Sequence, residues 1–496
     1  MTEATVPEGA RTGADVLARL RAQPPQVWHR GRLVPDVTSE PGLARGVRSL
    51  AGLYDFQWEH AELLLDPPDA HGRRFGRSHG IPVSSDQLRG LGEAMDCSAR
   101  YSMGMMGREP AYLNRAIAGF AASSAYFGAK DPAFGAHVQR YHAHVRGHDL
   151  ALTHTLLNPR PNRLAGPARQ ADPDLAAHVV KERDGGIVVR GARMLATLPI
   201  ADEIAVFPAK LIDGPEESAR YAFAFAIPTS TDGLRFLCRD SVDYGFSSFD
   251  HPLGSRFEEM DAVVLFDDVF VPWERVFCYR DADLCNLAYS ATGAVAHMAH
   301  QVVCKNIVKT EYLLGLVSLM IEDSGLDSFQ HIQEKWSEIW VALETLKALR
   351  RCAEADGGPN AFGAWTPAWN PLDAARNLYP RLYPRMIEIV QQIGASGLVA
   401  MPTQADLEGP LGAEIHRYYQ GARQEAAERI PLYRLAWDTA VSAFGSRQVL
   451  YERFFFGDPV LMAGNLYREK DKSRHMEAVR RFLRQSCEDA GKEGCE

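Results

Sequence analysis

In MMGREPAYLNR, Met105 to Arg115, an arginine and a tyrosine stand four residues apart, with a proline between them and a glycine just before. A helix opened by Pro110 is expected to place Arg108 and Tyr112 on one face, because residues four apart are neighbours there. The guanidinium and the phenol would then point the same way. The plainer alternative makes Arg108 a solvated helix-start residue and Tyr112 a half-buried anchor.

Other residues of chemical interest lie further along. His154, in LALTHTLLNPRPNR, has threonine on both sides where a helical run is expected to give way to a proline-rich turn. It suits a general base or hydrogen-bond partner near neutral pH, or a satisfied structural histidine. Arg160 and Arg163, around Pro161 and Asn162, offer planar donors that match phosphate oxygens, or form an exposed basic turn. Thr197 follows a strand pattern, where a hydroxyl can bond a flat heterocycle or finish a ladder. RFFFGDP, Arg453 to Pro459, joins three aromatics to a Gly-Asp-Pro turn, and QQIGASGL, Gln391 to Leu398, carries small residues that permit close backbone approach.

Three regions must position these groups. Residues 1–152 read as a mostly helical domain, with amphipathic stretches such as NRAIAGFAASSAYFG. Residues 153–278 carry strand-like runs, among them GGIVVRGARML and DAVVLFDDVFVP. Residues 279–496 return to long apolar-periodic helices of a bundle, with GGPNAFGAWTPAWNPLD as a long connection. This order is unlike a doubly wound α/β enzyme. Neither G-x-G-x-x-G after a strand nor G-x-x-x-x-G-K-[ST] is present, so no dinucleotide fingerprint or P-loop is recognisable.

The 496 residues carry a formal net charge of −9 and no basic stripe, which argues against a nucleic-acid partner. No run approaches the length of a membrane span and no signal-peptide core precedes residue 30, so a cytoplasmic enzyme is expected. Eight scattered cysteines without a C-x-x-C pair fit reduced thiols rather than a disulfide framework or zinc ribbon.

Taken in order, GMMGREPAYLN, LTHTLLNPRPNR, GIVVRGARMLATLPIADE, FDDVFVPWERVF, YSATGAVAHMAHQ, ARNLYPRLYPR, QQIGASGL and LYERFFFGDPV resemble the oxygenase component of the 4-hydroxyphenylacetate 3-hydroxylase family, from about residue 11 to about residue 485. The resemblance implies an acyl-CoA dehydrogenase-like α+β fold: N-terminal helical domain, middle β-barrel and C-terminal four-helix bundle, assembled as a homotetramer. It also implies a two-component flavin monooxygenase. A separate NADH:flavin reductase supplies diffusible FADH2, O2 is the co-substrate, and a C4a-hydroperoxyflavin hydroxylates a phenol ortho to its hydroxyl. No metal is implied. By the same resemblance Arg108, Tyr112 and His154 are the catalytic and substrate-contacting residues. His154, Thr155, Leu156, Arg160, Pro161, Asn162, Arg163, Thr197, Asp458, Pro459, Val460 and Leu461 contact FAD.

The resemblance also gives the trio a chemical purpose. A phenol has a pKa near 10 in water, so Arg108 would supply positive charge, His154 would accept the proton and Tyr112 would hold the oxygen.

Two departures stand out. Leu461 is apolar where a relative carries arginine, and Ala209 and Lys210 replace two small hydroxylated residues that hold the substrate carboxylate in the family. The tail is therefore open: a simple phenol, an aminophenol, an aminobenzoate, or a tyrosine derivative, free or carrier-bound. Three rivals remain. A 4-hydroxybutyryl-CoA dehydratase is suggested by His297, Cys304 and Cys97, but the residue four after Cys97 is Tyr101, so an iron–sulfur ligand set is incomplete. An acyl-CoA dehydrogenase would need a glutamate base, and a non-enzymatic helical scaffold leaves the Arg/Tyr/His set unexplained.

Overall fold

The computed structural model describes residues 8–207 and 218–493. Ala209 and Lys210 lie outside the described residues.

The first third is built on the helices Gly13–Ala22, Ala44–Glu59, Ser85–Arg100, Pro110–Ala122 and Pro132–Gly147. Pro110–Ala122 is buried continuously from Ala111 to Ala121. Its sequence has almost no charge to keep a face wet, so it packs between Pro132–Gly147 and the long helix Ala294–Ser324.

This third is mostly helical. It also holds two short strands, β1 (Val27–His29) and β2 (Arg32–Leu33). Three residues are too few to display alternation. β1 gains its partner from far along the chain, pairing parallel with Phe236 and Leu237.

The middle region supplies β3 (Leu152–Thr155), β4 (His178–Arg183), β5 (Gly186–Thr197), β6 (Glu203–Val206), β7 (Phe223–Pro228), β8 (Leu234–Cys238), β9 (Asp261–Pro272) and β10 (Val276–Tyr279). They make two sheets, in the orders β2-β1-β8-β9-β5-β4 and β10-β7-β6-β3. Inward residues of the first, such as Val189, Phe236 and Val264, share one core with Ile204, Val206 and Phe225 of the second.

The C-terminal bundle packs Ala294–Ser324, Gln330–Ala355, Trp369–Val399 and Ala426–Ala440 around one apolar core. Gly293 and Gly325, with φ of 73° and 64°, bracket the first of these helices in the left-handed region. The connection from 356 to 368 contains a short hairpin, Gly358–Pro359 with Trp365–Thr366. In QQIGASGL the small residues mark a kink, where Ala395 leaves helical geometry with φ 44°. Helix, two sheets and helical bundle follow one another in the expected order. Among the described residues, no helix is long and apolar enough to cross a membrane.

Candidate active site

Arg108 and Tyr112 do converge, though not by sharing a helical face. The helix begins at Pro110, so Arg108 sits in the turn before it. The Glu259 carboxylate fixes that turn by accepting the N–H groups of Gly107 at 2.9 Å and Arg108 at 2.7 Å. Gly107 is required by space, because a Cβ there would lie 2.3 Å from the Tyr451 ring. From this turn the guanidinium folds back over the new helix. Its Cζ lies 4.5 Å from the Tyr112 ring centroid, 4.2 Å from that of Phe455 and 5.8 Å from that of Tyr451. Arg108 Nε and Nη1 are buried with no hydrogen-bond partner among the described residues. A guanidinium stays charged in proteins, and burying its donors unmatched is costly, so the arrangement is suited to an anionic or strongly accepting oxygen.

His154 lies inside β3, not at the end of a helical run, opposite Ala205 of β6. Its ring centroid is 5.8 Å from Tyr112 and 5.9 Å from Phe207. Burial, and then the charge of Arg108, hold its pKa well below the usual histidine value. The imidazole is therefore neutral at pH 7 and offers one nitrogen as acceptor.

Two further phenols border the cluster and were not singled out from sequence. Tyr289 packs its ring 5.5 Å from Phe207, Tyr451 packs 5.2 Å from Phe455, and both hydroxyls are buried without a partner. Burial is the main cause holding both phenols well above pKa 10, so they are neutral. The i,i+4 spacing of Tyr451 and Phe455 is the sequence signal that could have found the second of them.

A second group of residues lies where β3 meets β5. Thr155 Oγ1 donates to the Met194 carbonyl at 3.2 Å, and the Leu156 carbonyl accepts from Arg193 Nη1 at 3.1 Å. Thr197 is the last residue of β5 and donates its hydroxyl to Asp261 Oδ1 at 2.8 Å. Burial would raise the Asp261 carboxyl, but Arg447 and Arg239 pull it down to about 2, so it is a firm acceptor. Asn158 Oδ1, just beyond Leu156, is buried and unpartnered.

The turn Arg160–Pro161–Asn162–Arg163 is exposed but ordered. Gln170 accepts from Asn162 N–H at 3.0 Å and donates to the Asn162 carbonyl at 2.9 Å, while Arg160 donates to the Arg163 carbonyl at 2.9 Å. Asp458 caps the helix Pro459–Glu469, taking the N–H groups of Val460 at 2.8 Å and Leu461 at 3.3 Å. Val460 and Leu461 are exposed. The structure thus brings Arg108, Tyr112 and His154 together, and along the β3–β5 contact it sets Thr155 against Met194 and Thr197 against Thr153. The Arg160–Arg163 turn and the Asp458–Leu461 helix start have no hydrogen bond to that cluster; Phe455, three residues before Asp458, is the link in sequence to it.

Of the residues behind the dehydratase rival, His297 Nδ1 faces Arg115 Nη2 at 3.2 Å. Among the described residues, no three His, Cys, Asp or Glu side chains group as metal ligands would.

Comparison with known proteins identifies the family. Residues 12–278 match the family model "4-hydroxyphenylacetate 3-hydroxylase N terminal", and residues 285–484 match its C-terminal counterpart. The 4-hydroxyphenylacetate 3-monooxygenase oxygenase component of Thermus thermophilus is 49% identical over 477 residues, covering 96% of this chain and 98% of that one. The same component from a Geobacillus strain is 45% identical, covering 96% and 97%. A crystal structure of the oxygenase component of 4-hydroxyphenylacetate 3-monooxygenase complexed with FAD and 4-hydroxyphenylacetate superposes with a TM-score of 0.92 at 49% identity, covering 97% of this chain and 99% of that one. The chain belongs to the 4-hydroxyphenylacetate 3-hydroxylase family.

Proposed function

We propose that this chain is the oxygenase component of a two-component flavin monooxygenase, which takes reduced FAD from a separate NADH-dependent reductase in the cytoplasm. With O2 it hydroxylates a 4-hydroxyphenylacetate-like phenol ortho to its hydroxyl. The observation that carries this reading is the Arg108 guanidinium, with two unmatched buried donors, set against Tyr112 and beside a neutral His154.

The residues present fit FAD. The unpartnered Asn158 oxygen, the Thr155 and Thr197 hydroxyls and the Arg160 and Arg163 guanidiniums form a mixed donor and acceptor set. Exposed Leu157, Met194 and Leu195 provide apolar surface beside it. The Val460 and Leu461 N–H groups are already taken by Asp458, so a contact there is better suited to flavin hydroxyls accepted by the carboxylate than to phosphate. Reduced FAD, when bound, supplies the two electrons that activate O2. The chain's own residues prepare the ring. Arg108 lowers the cost of phenolate, Tyr112 donates to the same oxygen, and His154 takes the phenol proton, its basicity restored once a phenolate neutralises the nearby charge. Tyr289, Phe207 and Phe455 hold the ring flat and exclude water.

Ala209 and Lys210 are the residues expected at the substrate tail, which leaves a carboxylate-bearing aminobenzoate or tyrosine derivative as the second substrate reading. The C-terminal helix Ser473–Glu493 exposes Met476, Val479, Phe482 and Leu483 at helical spacing, a face suited to neighbouring copies in a homotetramer. The test is a screen of phenolic acids, aminobenzoates and tyrosine derivatives with a generic flavin reductase, NADH and FAD. The expected result is a gain of one oxygen on a phenol; efficient turnover with the reductase omitted would contradict the two-component reading.

A further inference from the structure

Two lysines one turn apart on the helix Ala294–Ser324 meet a single carboxylate. Lys305 Nζ and Lys309 Nζ donate to Glu452 Oε1 at 2.5 and 2.6 Å, and Lys309 also donates to Gln448 Oε1 at 2.9 Å. All four side chains are buried, none more than 2% exposed. A buried ion cluster is a weak source of stability, since well-packed apolar residues of the same volume often serve as well. Its worth lies in what it holds in place. Glu452 and Gln448 stand on the helix Ala443–Phe454, which carries Tyr451 in its last turn and leads directly into Phe455. With its oxygen taken by Lys309, the Gln448 amide donates from Nε2 to the Met105 carbonyl at 3.0 Å, which fastens the segment leading to Gly107 and Arg108. Gly104 lets the same segment rest on the lysine helix, because a Cβ there would lie 2.8 Å from the Lys305 carbonyl oxygen. Lys305 Nζ is itself 5.3 Å from the Phe455 ring centroid and 5.7 Å from that of Tyr451, two of the rings on which Arg108 lies.

We propose that Lys305, Lys309, Glu452 and Gln448 are positioning residues, which lock the Arg108 turn to the Tyr451 and Phe455 rings so that the guanidinium keeps its two unpartnered donors available to the phenol oxygen. They act through Arg108 and its aromatic bed. The ligand, a phenol, is taken from the function proposed above; the linkage of turn and rings is independent of it. The cluster sets two positive charges against one negative, so an influence through charge alone is separable from one through position. Lys309→Met removes a positive charge and Glu452→Gln removes a negative one. An influence through charge alone shifts the ionisation of a bound phenol in opposite directions in these two variants, whereas loss of position shifts it the same way in both.

The test reads the ionisation of 4-nitrophenol by its absorbance, bound to saturating amounts of the full chain, in wild type, Gln448→Met, Lys309→Met and Glu452→Gln, with a urea midpoint for each. Wild type should ionise the bound phenol at lower pH than free solution does, and all three variants should move the midpoint back toward free solution. In reductase-driven turnover on 4-hydroxyphenylacetate each variant should make about tenfold less hydroxylated product per reduced flavin, with the remainder appearing as hydrogen peroxide, since misplacement by about 1 Å can cost up to about a hundredfold. Gln448→Met changes no charge and leaves both lysines on Glu452, so it decides the matter where the charge variants fail to fold. A wild-type midpoint in Gln448→Met, opposite shifts in Lys309→Met and Glu452→Gln, or lowered urea midpoints with unchanged product per flavin overturns the positioning role. No lowering of the phenol midpoint in wild type overturns it too, because Arg108 then has no effect for the cluster to position. A wild type that lowers the midpoint yet hydroxylates no phenol overturns the function proposed above, and the midpoints alone then judge the cluster.

Discussion

Replacing Arg108 with methionine keeps most of the side-chain volume and removes the charge. The guanidinium Cζ lies 4.2 to 4.5 Å from the Phe455 and Tyr112 ring centroids, so a ligand oxygen in the same cluster is placed about 4 Å from the cation. Two unit charges at about 4 Å interact by about 4 kcal/mol at an effective dielectric of about 20. That equals about three pKa units, enough to bring a phenol from about 10 to about 7. At pH 7.5 the phenolate fraction then falls from most of the bound phenol to well under 1%, a loss of about two hundredfold. The assay supplies reduced FAD from a reductase and measures hydroxylated product and hydrogen peroxide together across pH 6 to 10. Arg108→Met should make about a hundredfold less product near neutrality, divert its flavin electrons to peroxide, and recover about tenfold per pH unit as the solution ionises the phenol. Wild type should level off above about pH 7. An Arg108→Met enzyme with unchanged yield, or with lost yield and no recovery at high pH, would refute phenolate activation by this charge.

Three other outcomes follow from the same geometry. Burial pushes the Glu109 carboxyl up to about 7, against hydrogen bonds from Gln301 and Ser98. The folded chain therefore binds more protons than the unfolded chain between about pH 4.5 and 7, and this contribution to stability is present below 4.5 and lost as pH rises through 7, by about 3 kcal/mol at most. Glu109→Gln should flatten that fall, seen as a higher urea midpoint than wild type at pH 8 and little difference at pH 4.5. Gly107→Ala must displace the Tyr451 ring, which should cost about 1–3 kcal/mol in urea unfolding and lower hydroxylation more than it lowers flavin binding. Glu259→Gln turns one acceptor oxygen into a donor facing the Gly107 and Arg108 amides, so kcat should drop with KM for the phenol changing less.

The three-part order was legible because long helices and long strands carry strong periodicity. β1 and β2 were not, since two or three residues have no period and β1 is joined to the sheet by strand β8 some two hundred residues away, with β2 pairing only on β1. At the site, the Arg108 and Tyr112 pair was visible, but the reason was not. Spacing suggested a shared helical face, whereas the contact depends on a turn held by Glu259 and made possible by the absence of a Cβ at Gly107. His154 was misplaced to a helix end because LALTHT reads as apolar and unbroken, while its burial in β3 follows from pairing with β6. Tyr289 and Tyr451 come from two other parts of the chain, and only tertiary packing turns their hydroxyls toward the same cluster.

The most direct test mixes the protein anaerobically with reduced FAD and 4-hydroxyphenylacetate, with no reductase present, and then admits a single pulse of ¹⁸O-labelled O2. Close to one ring-hydroxylated product per reduced flavin is expected, carrying one labelled oxygen ortho to the phenol. Complete oxidation of the flavin with hydrogen peroxide as the sole oxygen product would contradict the proposed function.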